Sequence, residues 1–151
     1  MKKALGILSL AALAVLITSM PVSAADDNRN VTVSTEIAPA YIVTIPMNTR
    51  IYFNVEDTDF GTIELSKAQL EPQKCVRVTL LTDNLLENKS NAEKVLPFAV
   101  FDGEQEFHSA KYTAVGDKTS LTIHIDRDDW NRAYAGEYED TVTFQIEYTD
   151  R

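Results

Sequence analysis

The sequence predicts an all-β protein, an antiparallel Greek-key β-sandwich of about eight strands. Three observations predict it. Short runs rich in β-branched and aromatic residues alternate apolar with polar side chains, the period of half-buried strands. Turn signals interrupt those runs roughly every 8–12 residues. Between the last two runs lie Trp130, Gly136 and Tyr138, spaced as a helical turn followed by a tyrosine corner.

Taken in order, the first 24 residues read as an export signal. Lys2 and Lys3 form a positive start, and Ala4–Ile17 is an apolar run shorter than the roughly 20 residues that cross a membrane. Pro21 breaks that run, and Val22-Ser23-Ala24 fits a small-x-small cleavage pattern. Removing the first 24 of 151 residues leaves 127, one domain's worth, so residues 25–151 are expected to form a single β-sandwich domain. Ala25–Asn30 is polar. Val31–Ile37 alternates and reads as a first strand, Tyr41–Ile45 as a second ended by Pro46, and Arg50–Val55 as a third. Glu56–Asp59 reads as a turn, and Phe60–Leu65 as a strand with a bulge at Gly61.

Ser66–Gln73 changes character: Ser66 suits a helix cap and Pro72 a stop, which predicts a helical turn. Cys75–Thr82 returns to strand, with Val76, Val78 and Leu80 facing inward. Asp83–Glu93 is expected to be a long polar loop, the favoured recognition loop because such loops on rigid scaffolds carry binding. Val95–Phe101 is almost continuously apolar, as in a central strand, with Pro97 marking an edge or bulge. Asp102-Gly103 signals a hairpin into Glu104–Tyr112, and Gly116-Asp117 a turn into Leu121–Asp126. After the Trp130 turn, Val142, Phe144, Ile146 and Tyr148 share one face of the last strand.

Chemistry is sparse. The two histidines, His108 and His124, lie in no metal-ligand or nucleophile spacing. Neither a G-x-S-x-G motif nor a phosphate-cradling glycine loop occurs, so a non-enzymatic protein without a cofactor is expected. Asp126, Asp128, Asp129 and Asn131 cluster at a strand end and form a weak set of calcium candidates, although helix capping by Asp128 or Asp129 explains the same residues. Trp130, Gly136 and Tyr138 are expected to be structural: an indole lid on the core, a turn, and a ring whose hydroxyl bonds a backbone group just upstream. Cys75 is the one cysteine, so no intrachain disulfide forms. Being out of phase with Val76, it is expected at the edge of a core face or outside it, as a thiol available for pairing between chains. Losing Lys2 and Lys3 leaves 12 basic against 23 acidic residues, a net charge of −11, which argues against nucleic acid and anionic lipid as partners.

The segments AYIVTIP (Ala40–Pro46), LSKAQLEPQK (Leu65–Lys74) and DWNRAYAGEYEDTVTF (Asp129–Phe144) together resemble small exported surface proteins of Gram-positive gut bacteria. That resemblance covers most of the chain beyond the signal and implies an immunoglobulin-like sandwich. The tail AGEYEDTVTF (Ala135–Phe144) is also similar to the last strand of spore-coat-U-like and other pilus subunits. The function expected from these readings is a secreted or cell-surface structural or adhesive module, with no membrane insertion after signal cleavage. Its partner would be a surface protein, a glycan or a second copy of itself. One alternative is a pilus-like subunit in which Val31, Val33, Thr35 and Ile37 complete a neighbour's sheet. The other is a carbohydrate-binding module with exposed aromatics such as Tyr52, Phe107, Tyr112 and Tyr134 as stacking platforms.

Overall fold

The computed structural model describes residues 31–151; the expected signal segment and cleavage site and Ala25–Asn30 lie outside the described residues. The protein is all-β, built from antiparallel sheets. The strands are β1 (Ala40–Thr44), β2 (Asp57–Gln69), β3 (Lys74–Leu81), β4 (Leu85–Asn88), β5 (Asn91–Pro97), β6 (Ala99–Asp102), β7 (Gln105–Glu106), β8 (Ser109–Tyr112), β9 (Lys118–His124), β10 (Tyr138–Glu139) and β11 (Thr143–Asp150). Among the described residues, one short helix, α1 (Arg127–Arg132), precedes β10. Glu36–Arg151 form one compact unit; Val31–Thr35 belong to another and carry no regular secondary structure.

Three sheets supply the core. One runs β1-β2-β9-β6-β7, the second β11-β3-β8 and the third β10-β4-β5. The alternation of the sequence decides what meets between them. Ile63 and Leu65 of β2, Val76 and Val78 of β3, and Leu121 and Ile123 of β9 are buried in one continuous apolar cluster. Phe60 of β2 meets Phe144 of β11 at a ring separation of 5.9 Å, tying the first sheet to the second. Tyr112 of β8, fully buried, sends its hydroxyl to Thr119 Oγ1 of β9 at 2.8 Å, so the two sheets also share a satisfied polar contact.

Gly61 is the expected bulge: its φ is +112°, a conformation L side chains rarely adopt, and the β2–β9 register shifts between Asp59 and Gly61. Asp102-Gly103 makes the expected hairpin, with Asp102 opposite Gln105. In the Gly116-Asp117 turn the Asp117 carboxylate accepts the Thr113 and Ala114 amides at 2.7 and 2.9 Å, which holds its carboxyl below the usual range.

Several expected elements differ. Val31–Ile37 is not a strand in this chain. Arg50–Val55 is not one either: Asn54 takes a left-handed φ of 63° and Val55 N donates to Tyr52 O at 3.2 Å, so the run turns back on itself. Ser66–Gln73 is no helical turn. Strand β2 continues to Gln69 because β1 lies alongside, and Ser66 Oγ bonds the Ile42 carbonyl instead of capping. The polar stretch Asp83–Glu93 holds most of the β4–β5 hairpin, whose turn is closed by the buried Asn88: its Oδ1 accepts Ser90 N and Asn91 N at 2.9 and 3.2 Å. Val95–Phe101 divides at Phe98, Pro97 ending β5 while Ala99 opens β6 in a different sheet. Glu104–Tyr112 divides likewise into β7 and β8 around the buried Phe107.

Trp130 is buried, and its indole N–H donates to the Val55 carbonyl at 3.0 Å, so the ring closes the end of the core and pins the Asn54 turn. Trp130→Ala should cost about 3–5 kcal/mol of stability in urea unfolding, from lost burial and the cavity left behind. A loss below about 1 kcal/mol would mean the ring carries little of the packing.

Candidate functional site

Two surface features are built by this fold, a cleft beside α1 and a seam along β11. The cleft begins with the helix. Asp126 occupies the N-cap position with no side-chain cap bond, while Asp128 and Asp129 sit in the first turn and Arg132 in the last, the charge order a helix dipole favours. Capping by the side chain of Asp128 or Asp129 is therefore not realised. Trp130 and Tyr134 follow each other at i and i+4. Trp130 turns into the core, with Phe53 edge-on to it at 5.6 Å, and Tyr134 stays out. Gly136 then passes hard against Asn88 with a φ of +147°, leaving no room for a Cβ. Tyr138 OH donates to the Tyr134 carbonyl at 2.9 Å, the upstream backbone bond expected of a tyrosine corner.

The result is an open cleft of about 830 Å³ between the Thr49–Phe53 segment, the chain after α1, and β4. Phe53 and Tyr134 line it and are 79% and 62% exposed. Lys94 Nζ lies 4.5 Å from the centre of the Tyr134 ring. Along the rim Lys89 bonds Glu139 at 2.6 Å and approaches Glu137 at 3.7 Å, and the Glu139 carboxylate holds the Lys89 ammonium above its ordinary pKa. Asp140 accepts from Thr82 Oγ1 at 3.4 Å and from Thr141 N at 2.6 Å.

The seam follows from the edges of two sheets. In β11, Phe144, Ile146 and Tyr148 pair with Leu80, Val78 and Val76 of β3, so they share the core-facing side. Val78 is fully buried, yet Ile146 directly opposite is 37% exposed. Among the described residues no strand pairs with the other edge of β11. Strand β1 is likewise an edge, and its Tyr41 is 37% exposed while stacking on Tyr148 at 5.9 Å. The core is thus incompletely covered between β1 and β11.

The remaining candidates are not brought together. Among the described residues no group of three His, Cys, Asp or Glu side chains is arranged to hold a metal ion. Asp126 faces His124 Nε2 at 3.4 Å and Asp129 pairs with Arg132, so these calcium candidates take protein partners. Cys75 is not at an edge: it is fully buried, with Sγ 3.4 Å from the Asp150 carbonyl, because the far side of β3 is covered there too. A bond between chains would first need that end of β11 to open. Phe107 and Tyr112, considered as platforms, are core residues. The sequence reading missed Phe53 and the Lys89–Glu137–Glu139 rim as parts of a cleft. The lone Asn54 after Phe53, able to turn the chain, was the available signal. Compared with known proteins, the chain matches no family model and no curated protein.

A smaller pocket of about 470 Å³ is lined by His124, Asp57 and Phe101. His124 Nδ1 lies 2.7 Å from Asp57 Oδ1, and this bond, against some desolvation and with help from Asp126, raises the imidazole pKa. A raised pKa adds stability that is complete below the unfolded value of about 6.5 and is lost as pH rises through the folded value. His124→Gln should therefore lower stability at about pH 5.5 more than at about pH 8.5; an equal loss at both would contradict the pairing. Gly136→Ala should cost about 1–3 kcal/mol in the same assay, because both its φ and Asn88 oppose a Cβ, and an unchanged midpoint would overturn that reading.

Proposed function

We propose that this protein is an exported, non-enzymatic structural or adhesive module that joins to copies of itself by strand addition. The residues Val31–Ile37 of one copy would lie along the open edge of β11 in the next. The observation that carries this reading is Ile146, a core-facing residue opposite the fully buried Val78 that is itself 37% exposed. An added strand beside β11 would cover that row and satisfy the edge backbone groups.

The donor suits the place chemically. Val31, Val33, Thr35 and Ile37 fall on one face of an extended chain, and Ile37 is 67% exposed. Seven extended residues span about 23 Å, close to the reach of the eight-residue β11. The donor is poorly able to fold back beside its own β1. Only Ala38 and Pro39 separate it from that strand, and a two-residue hairpin wants positive φ at positions these residues resist. Each donated Val or Ile side chain that becomes fully covered contributes about 1.5–3 kcal/mol, and each ladder hydrogen bond about 0.5–1.5 kcal/mol.

The fold class favours the same position. We infer an immunoglobulin-like Greek-key sandwich, supported by the β2–β9, β9–β6 and β3–β11 pairings, which correspond to the B–E, E–D and C–F pairs of that architecture. The neighbour of strand F in such a sandwich is strand G, and the donor would stand there.

Light scattering behind size exclusion on residues 25–151 should show oligomers that grow with concentration. A free peptide of residues 30–38 should dissolve them, and Ile146→Lys should prevent them. A monomer at every concentration, with a melting temperature the peptide leaves unchanged, would overturn the proposal.

A further inference from the structure

We infer that the cleft beside α1 is a binding site for a neutral oligosaccharide. The inference does not rest on strand addition, since the cleft uses Phe53, Lys89, Tyr134 and Glu137 rather than β1 or β11.

Three features select this ligand class. The first is the pair of exposed rings. Phe53 and Tyr134 are 79% and 62% exposed although both line a concave surface, and Trp130 beneath them is buried and already satisfied by Val55. Exposed rings in a cleft offer apolar faces to a ligand that carries C–H groups on one side. Lys94 Nζ packs 4.5 Å from the centre of the Tyr134 ring, which steadies the ring at the edge of the cleft.

The second is the state of the charges. Lys89 sits between Glu137 and Glu139, and Asp140 is taken by Thr82 and Thr141. With Arg50 also in the lining, two cations face three carboxylates, a net charge of −1 that argues against phosphorylated or strongly acidic ligands. The same groups remain solvated: the Glu137 and Glu139 side chains are 83% and 64% exposed, so their oxygens can exchange water for hydroxyl groups. Hydroxyl donors suit carboxylate acceptors, and hydroxyl oxygens suit the Lys89 ammonium. The third is extent. An open cleft of about 830 Å³ has room for a short chain of sugar rings, far more than a single small ion needs.

Trp130 is the only tryptophan in the chain and lines the cleft, so its fluorescence reports occupancy without a label. The test is titration of residues 25–151 with cellotetraose, maltotetraose, xylotetraose, mannotetraose and lacto-N-tetraose, each up to about 10 mM. At least one should give a saturable change, confirmed by calorimetry. Tyr134→Ala should weaken it about tenfold or more with an unchanged melting temperature. Tyr52→Ala, outside the lining, should leave it intact, and Ile146→Lys should leave it intact even where self-association is lost. The absence of a saturable change with all five sugars would overturn the inference, as would binding that Tyr134→Ala and Phe53→Ala both leave unaltered.

Discussion

The pairing of β11 with β3 is the constraint on which the rest of the structure depends. Residue for residue, Phe144, Ile146 and Tyr148 stand beside Leu80, Val78 and Val76. Because cross-strand partners share a face, this register alone decides that the row points at the core. It brings Phe144 onto Phe60 of the first sheet and Tyr148 onto Tyr41. The Tyr148 hydroxyl also accepts the Glu71 amide at 2.8 Å, so the row fixes the β2–β3 connection as well. One strand on one side cannot cover a row that needs neighbours on both. Ile146 therefore remains partly in water while Val78 does not.

The opposite end of the core is closed differently. There no strand is required, because a short helix places one large ring over the gap. The indole N–H of Trp130 ties that helix to Val55, and Gly136 lets the following chain press against Asn88 in the β4–β5 hairpin. The cleft is a by-product of this closure: the Thr49–Phe53 segment and the chain after α1 must both pass over Trp130, and they do so without filling the space between them. Concave surfaces between loops on a packed scaffold are a common place for ligand sites.

Much of this was legible in the residues. The alternation of Val76, Val78 and Leu80 and of Phe144, Ile146 and Tyr148 gave strands and faces correctly, since a period of two has one reading when β-branched and aromatic residues carry it. Trp130 could be placed because a ring that large is most stable when buried, and Tyr138 because its hydroxyl demands a partner that only a few upstream backbone groups can supply. What was not legible depended on neighbours distant in sequence. Ser66–Gln69 has the local chemistry of a helix start, but β1 offered it a ladder. Arg50–Val55 alternates as well as any strand, yet its hydrophobic residues serve Trp130, which is 75 positions beyond Val55. Cys75 fell on the outward phase of β3 and is nonetheless buried, because alternation locates a face without saying whether that face is covered.

The central claim is that the outer edge of β11 is open in a single copy and is closed by another. Native-state hydrogen exchange at the amides of Phe144–Tyr148, followed by NMR in dilute and concentrated samples of residues 25–151, tests it most directly. The account predicts that the amides of this strand not bonded to β3 exchange rapidly when dilute and become protected as concentration rises, while those bonded to β3 are protected throughout. Protection of every amide of the strand in a dilute monomer would contradict it.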